Sequence, residues 1–176
     1  MPLTGKGVRP PLAFFVMPLA DISLSDWLDL GHAHPQRARM EVLLEVAQGV
    51  LDIHGYGVLH RDIKPDNVLR HNRRWRIMDF GMSRVEAEGH GAGGVTFAEG
   101  GTEGFMPQEQ ADGNDTKESD IYAFGRLAMK VFSEKEMDDL NLKGLVERCT
   151  SDFESGRPSS SELVNELNHL AAQFEK

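Results

Sequence analysis

His60-Arg61-Asp62-Ile63-Lys64-Pro65-Asp66-Asn67 sets six charged, ionisable or amide side chains into eight residues. Alone, the octet reads as a charge-rich surface turn, and its surroundings decide otherwise. From about Arg37 to His54, the residues Met40, Leu43, Leu44, Ala47, Val50 and Leu51 recur at spacings of three and four. That spacing predicts a helix with one apolar stripe. Gly55 and Gly57 stop it. Val58-Leu59 before the octet and Asn67-Val68-Leu69 at its end read as short strands, and so does Trp75 to Met78. His71-Asn72-Arg73-Arg74 is then the turn of a hairpin. The octet is thus a loop held between a helix and a hairpin. Asp79-Phe80-Gly81 follows Asn67 by twelve residues, at the end of the last strand.

Further out, residues 1–11 carry Pro2, Gly5, Gly7, Pro10 and Pro11 and read as irregular. Leu12 to Met17 is a short apolar, aromatic run, expected as a buried strand ended by Pro18. Ser23 to Leu30 reads as a short helix. Residues 89–104 hold seven glycines and predict a long loop with little core-forming capacity. Asp120 to Phe132 reads as a helix buried on several sides, and Lys143 to Cys149 as another. Ser159-Ser160-Ser161-Glu162 has capping-box spacing for a last helix to about Phe174, with Leu163, Leu167 and Leu170 on one face. Ser133 to Leu142 reads only as a connection between helices. The expected fold class is α+β, mainly helical with short β-hairpins.

The 176 residues suffice for a domain with its own core, and 40% hydrophobic with 27% charged residues indicates a globular chain. A formal net charge of −9 makes a phosphate-backbone ligand a poor fit, so no nucleic-acid partner is expected. Cys149 is the single cysteine, which excludes an internal disulfide and fits a reducing compartment. The apolar run 12–17 is too short to span a bilayer, so no membrane association is expected. The expected location is cytoplasmic, with nuclear as the alternative.

The octet resembles the catalytic loop of protein kinases, and Asp79-Phe80-Gly81 resembles that family's magnesium-binding motif. The resemblance implies that Asp62 orients a substrate hydroxyl and accepts its proton. It implies that Lys64 faces the transferring phosphate, as in the serine/threonine branch, and that Asn67 and Asp79 hold Mg2+ against ATP. Gly101 to Glu109 is similar to the end of the activation segment, although Pro107-Gln108-Glu109 stands where the family has Ala-Pro-Glu. Ser119 to Gly125 resembles the start of the central helix. Arg157 resembles the arginine that pairs with Glu109, and His60, Phe80, Glu109, Asp120 and Arg157 would be structural. Leu12 to Ala20 resembles the last small-lobe strand and the hinge. Met17, Pro18 through its C=O, Ala20 through its N–H, and Leu69 would then surround adenine. Arg61 resembles the arginine that receives a phosphorylated activation loop, Thr96 is the candidate phosphosite, and Thr102 matches a threonine that contacts the catalytic loop.

The implied organisation is an irregular segment at 1–11, the last small-lobe strand and hinge at 12–20, and the large lobe at 21–176. That lobe contains the catalytic loop 60–67 and the activation segment 79–109. The resemblance runs from about Leu12 to Phe174, and no Gly-x-Gly-x-x-Gly or Val-Ala-Ile-Lys precedes it. A serine/threonine kinase acting on protein substrates is therefore weighed against a non-catalytic, pseudokinase-like lobe that binds a partner kinase or small lobe, and against a nucleotide-responsive scaffold. His32-Ala33-His34 reads as a solvated loop, and Cys149 as core.

Overall fold

The computed structural model describes residues 17–30, 34–86 and 101–175. The expected strand Leu12–Val16, most of the glycine-rich segment and Thr96 lie outside them. Met17 itself, placed at the end of a buried strand, is 60% exposed and in no regular element.

Two short strands begin the order of elements on either side of two helices. β1 is Ile22–Ser23, α1 Leu24–Asp29, α2 Gln36–Gly55 and β2 Val58–Leu59. Ser23 caps α1, its Oγ accepting the Asp26 N–H at 3.0 Å. The octet follows β2 and closes in a 3-10 turn, Pro65–Asn67. The expected hairpin is β3, Val68–His71, and β4, Arg74–Ile77. A second 3-10 turn, Phe80–Met82, leads into β5, Arg84–Val85. The sheets are β1-β3-β4 and β2-β5, with every pairing antiparallel. β1 was not foreseen, because two residues make a strand only through the partner that Leu69 and Arg70 supply.

The helical half consists of α3 Gln108–Ala111, α4 Lys117–Val131, α5 Glu134–Asp139, α6 Lys143–Cys149 and α7 Ser160–Ala171. α6 and the α7 cap match expectation. Ser159 N–H donates to Glu162 Oε2 at 2.8 Å, and Glu162 N–H returns to Ser159 Oγ at 3.3 Å. α4 starts three residues earlier than expected, because Thr116 N–H finds Ser119 Oγ at 3.2 Å and so caps a polar first turn. α5 corrects the reading of 133–142 as a plain connection. Ser133 and Glu136 form the same reciprocal cap, and Met137 is the helix's one buried residue.

One core joins the elements, with α2 packed against β4, α4 and α7. Met40, Leu43, Ala47 and Val50 are buried as the stripe predicts; Val42 and Val46 are buried too, so α2 is covered on more than one side. Gly49 lets β4 approach closely: a Cβ there would lie 3.1 Å from Ile77 Cδ1. Among the described residues no helix is long and apolar enough to cross a membrane.

Candidate active site

The octet is positioned by a carboxylate from the first turn of α4. Asp120 Oδ1 accepts the Arg61 N–H and Oδ2 the His60 N–H, both at 2.8 Å. Oδ2 also meets His54 Nε2 at 3.0 Å. Asp120 is 1% exposed, so these charge-assisted bonds act in a low-dielectric setting. They offset the cost of Arg61, whose φ of +72° is unusual for a side chain of its size. Gln110 Nε2 completes the clamp by donating to Arg61 O at 2.7 Å.

His60 links the loop to the end of β4. Its Nδ1 accepts the Asp62 N–H at 3.3 Å, which leaves the proton on Nε2, 3.0 Å from Met78 O. Its ring meets Phe80 edge-on at 5.1 Å. Asp79, φ +63°, is exposed and turns the chain by accepting the Gly81 N–H at 3.2 Å.

Asp62 sits at the centre. Oδ1 accepts the Thr102 hydroxyl at 2.7 Å, and Oδ2 accepts Asn67 Nδ2 and Lys64 Nζ, each at 2.9 Å. Lys64 Nζ also donates to Thr102 Oγ1 at 2.6 Å. Burial works to raise the Asp62 pKa; the bonds from Thr102 and Lys64, the Lys64 charge and the Asn67 amide outweigh it and hold the carboxyl below its ordinary value. Asn67 spends its amide nitrogen on Asp62, with a second bond to Asp62 O at 2.8 Å. Its Oδ1 accepts no hydrogen bond among the described residues, and the Asp79 carboxylate is exposed. Two oxygen donors of this kind suit a hard cation that takes its remaining ligands from phosphate and water. Among the described residues no three His, Cys, Asp or Glu side chains cluster as a self-sufficient metal cage.

Beside this loop lies an open apolar concavity of ≈ 670 Å³, lined by Met17, Pro18, Leu19, Ala20, Leu69 and Met78 among others. Asp21 N–H donates to Arg70 O at 2.7 Å, and His71 Nδ1 lies 3.1 Å from Leu19 O, so the 17–21 segment is tied to β3. Arg157 lies beneath the α3 turn. Its side chain is fully buried, bonded by two nitrogens to the Glu109 carboxylate and also to Ser151 O at 2.9 Å and Glu118 O at 3.1 Å. The shifted proline of 107–109 is accommodated as the N-cap of α3.

The sequence-derived residues within the described chain fall into four groups: Lys64, Asn67 and Thr102 joined to Asp62; His60, Arg61, Phe80, Asp79 and Asp120 around them; Met17, Pro18, Ala20 and Leu69 in the adjacent concavity; and the Glu109–Arg157 pair. Three residues were missed. His54 and Gln110 hold the loop from outside it. Asp115, buried, stands 3.0 Å from Arg61 Nε. No spacing rule marks any of the three, since each acts across a long stretch of chain.

Comparison with known sequences agrees with this geometry. Residues 9–143 match the family model described as protein kinase domain. The chain is 32% identical over 136 residues to serine/threonine-protein kinase PknB of Mycobacterium tuberculosis (strain ATCC 25618 / H37Rv), covering 74% of this chain and 22% of that protein. It is 37% identical over 118 residues to serine/threonine-protein kinase pkn2 of Myxococcus xanthus, covering 63% and 14%. It is 27% identical over 134 residues to the protein named probable serine/threonine-protein kinase fnkB of Dictyostelium discoideum, covering 74% and 25%. The aligned part is thus a quarter or less of each relative's length.

Proposed function

The chain belongs to the protein kinase domain family, and from that premise we propose that it carries the catalytic half of an ATP-dependent phosphoryl transfer to serine or threonine of protein substrates. The observation that carries the reading is the contact set around Asp62, with Thr102 on one oxygen and Lys64 and Asn67 on the other.

The substrate's serine or threonine hydroxyl approaches Asp62, which orients it and takes its proton as the oxygen attacks the terminal phosphorus of ATP. The bond from that phosphorus to the bridging oxygen breaks, and ADP leaves. Because the Asp62 pKa is held low, the carboxylate is ionised at neutral pH and works mainly by orientation, with modest proton affinity. Lys64 stands beside it with a charge available to the transferring phosphoryl group. Asn67 Oδ1 and the Asp79 carboxylate would hold magnesium, which neutralises phosphate oxygens when bound. Pro18 C=O and the Ala20 N–H, neither hydrogen-bonded among the described residues, would meet the adenine edge over Leu69.

A second reading has one observation in its favour: Met17 and Leu19, which line the nucleotide concavity, are 60% and 91% exposed. An apolar surface of this kind suits a partner lobe, and the chain would then be a binding module seated against another kinase. We place it in the cytoplasm in either case.

Transfer of labelled γ-phosphate to a serine/threonine peptide library separates the two, using the chain alone and the chain supplied with a glycine-rich small lobe. Transfer that needs the small lobe and falls by about 10²–10⁴ in Asp62→Asn supports the kinase reading. Tight small-lobe binding with no transfer supports the module. Transfer to tyrosine alone would remove Lys64 from its role.

A further inference from the structure

Asp115 lies immediately before the N-cap of α4, and its side chain is 1% exposed. Its Oδ2 stands 3.0 Å from Arg61 Nε and 3.7 Å from Arg84 Nη1. The Arg61 contact is short, yet among the described residues neither carboxylate oxygen receives a well-aligned hydrogen bond. The interaction is therefore charge against charge. A buried carboxylate in that condition is costly unless opposite charge compensates it, and here it is met by two guanidinium groups.

Those guanidiniums belong to the machinery around Asp62. Arg61 directly precedes Asp62, and its Nη1 donates to Met82 O at 3.1 Å. Arg84 lies in β5, which pairs with β2 at the entry to the octet. One arginine thus bridges the catalytic loop and the backbone after Asp79-Phe80-Gly81, and the other sits on the strand that continues from there. Without Asp115, the buried Arg61 guanidinium would lose the carboxylate 3.0 Å from its Nε, with Arg61 still in its left-handed conformation.

We propose that Asp115 is a positioning residue for Asp62: an internal counter-charge that holds Arg61 and Arg84 together and sets the catalytic loop with no phosphate brought to Arg61. The proposal rests on the reading of Asp62 as the base. It also bears on Thr96, because a phosphate on that residue would have to compete with a carboxylate already in contact with Arg61.

The test uses the 176-residue chain and hydrogen exchange at single amides. In Asp115→Asn, exchange at Arg61, Asp62 and Glu86 (whose N–H bonds Gly57 O at 2.7 Å) is expected to quicken about 10-fold or more. Amides of α7 should stay within about 2-fold. Formate should restore protection in Asp115→Gly, and neutral formamide should not, because the requirement is for charge. Unchanged exchange at the loop overturns the proposal. So does quickening spread evenly into α7, which would make Asp115 a plain fold residue, and so does rescue by formamide. If Asp115→Gly does not fold, Asp115→Glu decides: loop protection like wild type supports the proposal, and protection like Asp115→Asn overturns it. Where transfer is measurable, Asp115→Asn should lower kcat with KM for nucleotide unchanged. Exchange is read without turnover, so absence of transfer counts against the kinase reading alone, and unchanged exchange against Asp115 alone.

Discussion

Thr102 Oγ1 donates to Asp62 Oδ1 at 2.7 Å while accepting from Lys64 Nζ at 2.6 Å. The hydroxyl joins the segment before α3 to the octet 60–67 and fills the donor and acceptor roles at once. Thr102→Val keeps the shape and removes both bonds. With a charged partner each is worth about 1.5–3 kcal/mol. A loss of roughly 10- to 100-fold in kcat is expected, with nucleotide KM little changed and Thr102→Ser close to wild type. Steady-state kinetics of the three proteins check it. Phosphate on Thr102 would set negative charge against Asp62 and should abolish transfer.

The pH dependence follows from the direction of the Asp62 shift. Its pKa in the folded chain lies below the unfolded value of about 3.9, so the stabilisation it contributes is present above that value and is lost as pH falls through the folded one. The ionised carboxylate persists over the same range. A profile of kcat/KM should therefore show no acid limb from Asp62 between about pH 5 and 8. Lys64→Met removes a hydrogen bond and a positive charge, and should move that limb to higher pH. An acid limb in the wild type near neutrality that disappears in Asp62→Asn would contradict this.

Far from the site, Arg39 ties α2 to the segment after α4. Arg39 Nη1 donates to Glu136 Oε2 at 3.0 Å and to Val131 O at 3.2 Å, and its guanidinium lies 4.8 Å from the Phe132 ring centre. The Arg39 hydrogen bond, then the Ser133 backbone and hydroxyl, lower the Glu136 pKa to about 2. Glu136 thus stabilises the fold above its unfolded pKa of about 4.3, and the contribution is lost as pH falls toward 2. Arg39→Met should cost about 1–2 kcal/mol at pH 7 and flatten the fall in stability between about pH 5 and 3. Urea denaturation across that range measures both, and a slope identical to wild type would exclude the pair as its source.

What could be read from the sequence was whatever depends on close spacing. The octet, the β3–β4 hairpin, the bounds of α6 and the Ser159–Glu162 cap are all of that kind. α5 carries the same Ser133–Glu136 signal and was missed because Met137 is its one buried residue, too little for a period to register. Asp115 sits in the polar run Asp112-Gly113-Asn114-Asp115, which looks like any solvated loop. Gln110 and His54 act on partners 49 and 66 residues away, where local pattern carries no information. The grouping of Asp62, Lys64 and Asn67 follows from their closeness within the octet, and the apparatus that holds the octet carries no such local mark.

The β3–β4 turn offers a gain in stability that can be tested directly. Asn72 and Arg73 have φ of +52° and +63°, the pair of left-handed residues that a two-residue hairpin turn of the right twist requires. Asparagine tolerates that region well. Arginine pays for its Cβ there, about 1–2 kcal/mol relative to the right-handed form. Arg73 is exposed and makes no ion pair or hydrogen bond through its side chain among the described residues, so truncation sacrifices no contact. Arg73→Gly removes the steric cost and adds unfolded-chain entropy, which offsets part of the gain. A net stabilisation of about 0.5–1 kcal/mol is expected, a rise of roughly 1–4 °C in Tm for a chain of this length. Asn72→Gly should give less, since asparagine already suits its position. Thermal unfolding of the two variants beside the wild type decides it: a Tm for Arg73→Gly at or below wild type would mean that the turn is not strained at Arg73.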